Sequence, residues 1–212
     1  IRAVAECSQV PVIKHYKGVC HVYIDGAADL AMAEEIIFNS KVHRPGVCNA
    51  AETLLVDQTI AAEALPRLAK RLVKANVELR CDETARALLD GSLIDVLSAS
   101  ETDWGEEYLG LVLSVKTVDG VGEAIEHINT YGSGHTETIV TGDESAAKRF
   151  QVEVDSSTIF WNASTRFADG GQFGMGAEIG ISTDKIGARG PMGLEELTSY
   201  KWLGVADGLI RQ

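Results

Sequence analysis

The stretch Val19-Cys20-His21-Val22-Tyr23-Ile24-Asp25-Gly26, carried on through Asp29-Leu30 to Ile37 and then to Thr53-Leu54-Leu55-Val56, decides the fold. Val19 to Ile24 is dense in β-branched and aromatic residues and stops at an Asp-Gly turn signal. Asp29 then reads as a helix cap, and Leu30, Ala33, Ile36 and Ile37 recur at helical spacing. The apolar run Thr53 to Val56 predicts a buried strand. The same alternation continues outward. Upstream, Ile1 to Ser8 reads as a helix end and Val10 to Ile13 as a short strand. Downstream, strands are predicted at Val77 to Cys81, Leu111 to Val115, Thr138 to Thr141 and Ser157 to Trp161. Between them fall helices at Ile60 to Lys74, Glu83 to Leu89, Val121 to Asn129 and Glu144 to Phe150, and Gly193 to Gln212 reads as a helix followed by a strand. Such alternation predicts an α/β domain with a largely parallel sheet flanked by helices.

Composition sets the bounds. A chain of 212 residues suffices for one substantial domain, and 45% hydrophobic with 24% charged residues is an ordinary globular balance. The net charge of −12 argues against nucleic acid or an anionic membrane as partner. Cys7, Cys20, Cys48 and Cys81 form no C-x-x-C pair and no zinc-finger spacing, so a reducing cytoplasm and no metal site are expected. No apolar run approaches the roughly 20 residues of a membrane span, and no signal peptide is visible. Gly171, Gly174 and Gly176 come late and open no clear helix, so they are not read as a dinucleotide fingerprint.

The chemistry centres on Cys48. Pro45 and Gly46 break any helix, which puts this cysteine on an irregular turn just before a strand. A thiol near Lys41 and Arg44 is placed to become a thiolate, the reactive form. The same letters also suit a small apolar filler, since free cysteines are commonly buried and inert.

Three collinear strings carry a resemblance: Asn39-Ser-Lys-Val-His-Arg44-Pro-Gly-Val-Cys48-Asn49-Ala-Ala-Glu52, Asn162-Ala-Ser164-Thr165-Arg166-Phe167-Ala-Asp169-Gly170-Gly-Gln-Phe-Gly-Met-Gly176-Ala-Glu178, and Ala188-Arg-Gly-Pro-Met-Gly-Leu-Glu-Glu-Leu197. They resemble the gamma-glutamyl phosphate reductases, a branch of the aldehyde dehydrogenase superfamily, and the likeness runs from Val12 to the C-terminus. One position departs: the family has a histidine before Ala188, where this chain has Gly187.

The resemblance implies an aldehyde-dehydrogenase-like catalytic domain that forms the C-terminal half of a longer protein. Residues 1–13 would be a remnant of the nucleotide-binding domain, 14–185 the catalytic domain, and 186–212 a C-terminal helix and oligomerisation strand. The implied reaction is NADPH-dependent reduction of glutamyl 5-phosphate to glutamate 5-semialdehyde and phosphate, in proline biosynthesis. It implies a homo-oligomer joined through the final strand, with Val205, Leu209 and Ile210 as its apolar residues, and a functional link to glutamate 5-kinase. By itself the 212-residue chain is expected to turn over poorly, because most of the nucleotide pocket lies in the other half.

The implied roles fall on named residues. Cys48 is the nucleophile that forms a thioester, and its backbone amide with the Asn49 side chain would stabilise the oxyanion. Arg166, with Ser164 and Thr165, would clamp the substrate carboxylate, Asp169 and Glu178 would face its ammonium, and Phe167 would shield the thiolate. The competing reading of Arg166 is a loop brace to Asp169. Arg44 and Lys17, with Lys14, suit the phosphate, though surface lysines at a strand end read the same way. Glu107 and Leu109, in Trp104-Gly-Glu-Glu107-Tyr-Leu109, would meet the nicotinamide end of the cofactor, with Glu106 the alternative match. His15 stands where hydrolytic relatives carry the glutamate that activates water, and it is counted with the cofactor-facing residues. Its absence fits an enzyme that must protect a thioester from water, and a histidine there can act as an acid. The role of His135 is not readable. Two further readings stand beside this one: a hydrolytic aldehyde dehydrogenase, and a non-catalytic oligomerisation module with a structural Cys48.

Overall fold

The computed structural model describes residues 1–90 and 94–211. A short helix α1 (Arg2–Cys7) precedes the central strand β1 (Cys20–Ile24), after which come α2 (Leu30–Val42), β2 (Ala51–Asp57), α3 (Gln58–Lys74), β3 (Glu78–Cys81) and α4 (Glu83–Leu89). A two-residue strand β4 (Leu97–Ser98) is followed by β5 (Val112–Val118), α5 (Gly120–Tyr131), β6 (Thr136–Val140), α6 (Glu144–Glu153) and β7 (Thr158–Trp161). The seven strands form one sheet in the order β4-β3-β5-β2-β1-β6-β7, and every pairing is parallel.

Side chains alternate across the sheet as the strand period demands. Val22, Ile24, Leu54 and Val56 face a core built with Leu65, Leu68 and Leu72 of α3, while Tyr23, Leu55 and Ile139 face a second core with Ile125, Ile128 and Phe150. Covered on both faces, β1 and β2 are buried throughout, which is why they read as near-continuous apolar runs. The caps follow the sequence: Asp29 accepts from Ala31 N and Met32 N, and Asp82 from Ala85 N.

Two expectations need correction, and two elements carried no local signal. Val10 to Ile13 forms no strand, because its backbone pairs with no sheet edge and Val10 stays exposed. β4 was too short to announce itself. Gly180–Ser182 (β8) and Gly190–Met192 (β9) make an antiparallel hairpin that glycine and proline had hidden, and the division expected at 185/186 falls in its loop. Finally, Gly193 onward forms only a short 3₁₀ turn at Glu195–Leu197; residues 198–211 form neither helix nor strand, and Gln212 lies outside the described residues. Trp202 and Val205 there are 91% and 98% exposed, so the expected strand finds no pairing edge among the described residues. Gly187 adopts a φ of +149°, a conformation that favours glycine over the histidine of the resembled family.

One reversal positions the site. After β7 the chain turns at Asn162, whose φ is +57°, and its side-chain Oδ1 accepts from Thr141 N at 2.9 Å while Nδ2 donates to Thr141 O at 2.9 Å. The segment then doubles back over β1 and β6 to meet α2. Replacing Asn162 by alanine should lower the unfolding free energy by about 1–3 kcal/mol, from lost hydrogen bonds plus left-handed strain. Asn162→Gly should cost less, since glycine adopts that φ freely; urea midpoints with equal losses for both variants would contradict this account.

Candidate active site

Gly18 precedes β1, Cys48 to Ala50 precede β2, Leu109 precedes β5 and His135 precedes β6, so these residues gather at the amino ends of the strands. Cys48 sits half-buried on the turn entering β2. Gly18 runs directly against it: a Cβ there would lie 1.9 Å from Cys48 O. No other residue fits without moving the turn. Cys20 Sγ donates to Cys48 O at 3.2 Å, and Gly18 N donates to Glu107 Oε1 at 2.8 Å.

A buried ion pair frames the turn. Lys41 Nζ, near the end of α2, meets Glu52 Oε2 in β2 at 2.6 Å, with both side chains fully buried. Burial raises Glu52 to about 7 against the opposing pull of Lys41, and burial lowers Lys41. Glu52 Oε1 also accepts from Leu109 N at 3.3 Å. Lys41 therefore serves Glu52 rather than the thiol.

Two histidines converge on the sulfur. The Cys48 Sγ and one ring nitrogen each of His15 and His135 lie within 4.8 Å of one another. His15 Nδ1 donates to Ile181 O at 3.0 Å, which leaves Nε2 carrying the lone pair of the neutral ring. The β8–β9 hairpin thus holds His15, helped by a Lys14–Asp184 ion pair at 3.1 Å that removes Lys14 from consideration as a free phosphate ligand. His135 Nδ1 lies 2.8 Å from Thr136 Oγ1, and among the described residues its buried Nε2 has no hydrogen-bond partner. Burial, with His15 nearby, pushes His135 down to about 4, so it is neutral at physiological pH.

The thiol is not the resting thiolate that its flanking cations suggested. Burial raises the Cys48 pKa, Glu178 and Glu107 raise it further, and Arg166 lowers it. The cation that favours the thiolate is Arg166; exposed Arg44 instead pushes on Arg166.

The returning segment brings the remaining residues. Asn49 Nδ2 donates to Ala168 O at 2.9 Å, which commits one amide hydrogen to tying the Cys48 turn to this segment. Ser164 and Thr165 are buried, with Ser164 Oγ 2.9 Å from Ser40 Oγ and Thr165 N donating to Ser40 Oγ at 3.2 Å. The Ser164 hydroxyl and the Thr165 amide thus meet Ser40, tying this segment to α2. Arg166 and Phe167 do line a cleft of about 280 Å³ together with Asn39, His43, Asp169 and Gln172. Arg166 Nε donates to His43 Nδ1 at 3.4 Å, and among the described residues no ion pair joins it to Asp169, whose Oδ1 accepts from Gly171 N and Gln172 N. Glu178 accepts from Gly170 N at 2.8 Å. Lys17 Nζ donates to Gly105 O at 3.2 Å on the exposed rim. Leu109 is exposed with a φ of +53°, a strained conformation for leucine. Sequence reasoning missed Gly18, Cys20, the Lys41–Glu52 pair and the place of His135. Only the glycine-flanked His135 carried any signal.

The aldehyde dehydrogenase family profile matches residues 80–203. The chain is 56% identical over 212 residues to the gamma-glutamyl phosphate reductase of Geobacter metallireducens, covering 100% of this chain and 50% of that protein. The crystal structure of the gamma-glutamyl phosphate reductase of Thermotoga maritima superposes with a TM-score of 0.93 at 48% identity, again over 100% of this chain and 50% of that one. An acetylating aldehyde dehydrogenase from Geobacillus thermoglucosidasius shares the fold, with a TM-score of 0.71 at 20% identity over 99% of this chain and 55% of its own. The chain spans about half the length of the curated relatives it matches.

Two outcomes follow from this geometry. Gly18→Ala should displace the Cys48 turn and destabilise the fold by about 1–3 kcal/mol, whereas Gly105→Ala, with open space around it, should be mild in the same thermal melts. In the free protein at neutral pH, iodoacetamide should label exposed Cys7 before Cys48, and Cys48 before buried Cys20 and Cys81. A raised pKa leaves less thiolate at a given pH, so the Cys48 rate should still be climbing about tenfold per pH unit near pH 8. A plateau below pH 7 in peptide mass spectra would contradict the protonated resting thiol.

Proposed function

Because the chain belongs to the aldehyde dehydrogenase family, we propose that it carries the thiol chemistry of a gamma-glutamyl phosphate reductase. The reaction is NADPH-dependent reduction of L-glutamyl 5-phosphate to L-glutamate 5-semialdehyde and phosphate, a step of proline biosynthesis. The observation that carries the reading is the half-buried Cys48 thiol with two histidine nitrogens within 4.8 Å, in a chain similar over its whole length to proteins of that name.

The residues divide the work as follows. Cys48 Sγ bonds to the acyl carbon, its proton passes to the free nitrogen of His15, and the bond to phosphate breaks to leave a thioester. His15 is suited to this because its other nitrogen is fixed on Ile181 O. The Cys48 backbone amide and the remaining Asn49 amide hydrogen steady the oxyanion. Arg166 takes the substrate carboxylate in the cleft with Asp169 opposite the ammonium, and Phe167 excludes water from the sulfur. Lys17 and Arg44, both exposed, attract the departing phosphate.

The donor set at the rim fits a nicotinamide ribose. Glu107 Oε1 is held by Gly18 N, and Oε2 takes no hydrogen bond among the described residues, so it is available to ribose hydroxyls. Exposed Leu109 offers an apolar wall and His15 stands beside them. The cofactor, when bound, supplies the hydride that reduces the thioester. Collapse of the reduced adduct returns the Cys48 sulfur and frees the aldehyde.

Among the described residues no helix is long and apolar enough to cross a membrane. We place the protein in the cytoplasm, as a homo-oligomer whose final segment, with Trp202, Val205 and Leu209 exposed, pairs with a partner copy's sheet. Residues 14–185 are the catalytic part, 1–13 belong to a nucleotide-binding domain, and a link to glutamate 5-kinase follows from the substrate's chemistry.

The test runs the reaction backwards in the intact protein. NADP-dependent oxidation of glutamate semialdehyde should require inorganic phosphate, and Cys48→Ala should reduce it by about 10³-fold or more. Activity without phosphate would favour a hydrolytic dehydrogenase, and activity surviving the substitution would remove Cys48 from the chemistry.

A further inference from the structure

His15, Cys48 and His135 are far apart in sequence, so no spacing motif joins them, yet the fold brings their donor atoms to within 4.8 Å of one another. A tetrahedral zinc-class ion with bonds of roughly 2.0–2.3 Å needs donors only about 3.3–3.7 Å apart, so closure takes small side-chain shifts. One nitrogen of each imidazole is already engaged: His15 Nδ1 is held by Ile181 O at 3.0 Å and His135 Nδ1 lies at 2.8 Å from Thr136 Oγ1, contacts of the kind that fix the ring of a metal-binding histidine. His135 is fully buried, and among the described residues its Nε2 has no hydrogen-bond partner. An orphaned imidazole nitrogen pays the cost of leaving water, which a bound cation would recover. Glu178 and Glu107 add negative potential around the sulfur.

We propose that Cys48, His15 and His135 bind one zinc-class divalent cation that reversibly caps the thiol. Sulfur and imidazole donors select zinc, or its surrogates cobalt and cadmium, over magnesium and calcium. Three protein ligands leave a fourth position for water. The ion is an inhibitor rather than a resident cofactor, because it occupies the sulfur that would attack the acyl carbon. That consequence rests on the nucleophile reading above; the binding does not.

Zn²⁺ and Co²⁺ titrations of the intact protein, with no substrate or nucleotide present, test this directly. One ion should bind per chain, and the Co²⁺ complex should show a thiolate-to-metal charge-transfer band that Cys48→Ser abolishes. Zn²⁺ should slow alkylation of Cys48 at least tenfold, leave Cys7 unchanged, and be reversed by EDTA. Replacing His15 or His135 by alanine should weaken Zn²⁺ binding at least tenfold. His135 is buried and its loss can unfold the protein, so half-buried His15, checked by circular dichroism, gives the independent arm. Absence of the charge-transfer band, or equal Zn²⁺ affinity in Cys48→Ser, overturns the site. A Cys48→Ser variant that loses turnover while the unsubstituted protein ignores Zn²⁺ overturns this inference alone and leaves the reaction standing.

Discussion

The buried pair of Lys41 and Glu52 holds the site in register. It joins the end of α2 to β2, and the turn bearing Cys48 is the chain between them. Through its second oxygen Glu52 also receives Leu109 N, so one carboxylate fixes three segments that meet at the amino edge of the sheet. Such a pair contributes little net stability, because removing two charges from water costs about as much as their attraction returns. Its value here is positional. Removing one partner would strand the other inside the protein and release the turn.

Around that clamp the structure trades reactivity for protection. Burial and two glutamates hold Cys48 as a thiol, and Arg166 alone among the charges acting strongly on it favours ionisation. A thiol kept protonated until a substrate and a base are in place is spared adventitious oxidation and alkylation. His15, braced by the hairpin, lies beside the sulfur. Gly18 completes the enclosure, because only a residue without a side chain lets β1 enter so close to Cys48 O. In most open parallel sheets ligands gather at the carboxyl ends of the strands. Here the candidate site lies at the opposite edge, and the reversal at Asn162 carries Arg166 back to it.

Much of this was legible in the sequence because the decisive signals are local. β1, β2 and the helix after Asp29 are read correctly since a doubly covered parallel sheet needs continuous apolar strands, and Asp29 caps the helix that follows β1. Cys48 and Arg166 stand out as reactive groups on turns. The remainder depends on tertiary geometry that no local pattern encodes. Nothing in Lys41 announces that its charge is spent on Glu52, or in Ser164 that its hydroxyl meets Ser40. The β8–β9 hairpin was hidden because its strands are three residues each and contain glycine and proline. Gly193 to Gln212 reads as a helix followed by a strand, with the oligomerisation strand implied by the resemblance, but a strand exists only where an edge is there to pair with it.

The central claim is that Cys48 becomes acylated, and mass spectrometry tests it most directly. The intact protein would be incubated with glutamyl 5-phosphate in the absence of nucleotide, quenched in acid and digested. The account predicts a single glutamyl adduct on the peptide carrying Cys48, removed by hydroxylamine as a thioester should be. An adduct on another residue, or none while the same preparation turns over when nucleotide is supplied, would contradict it.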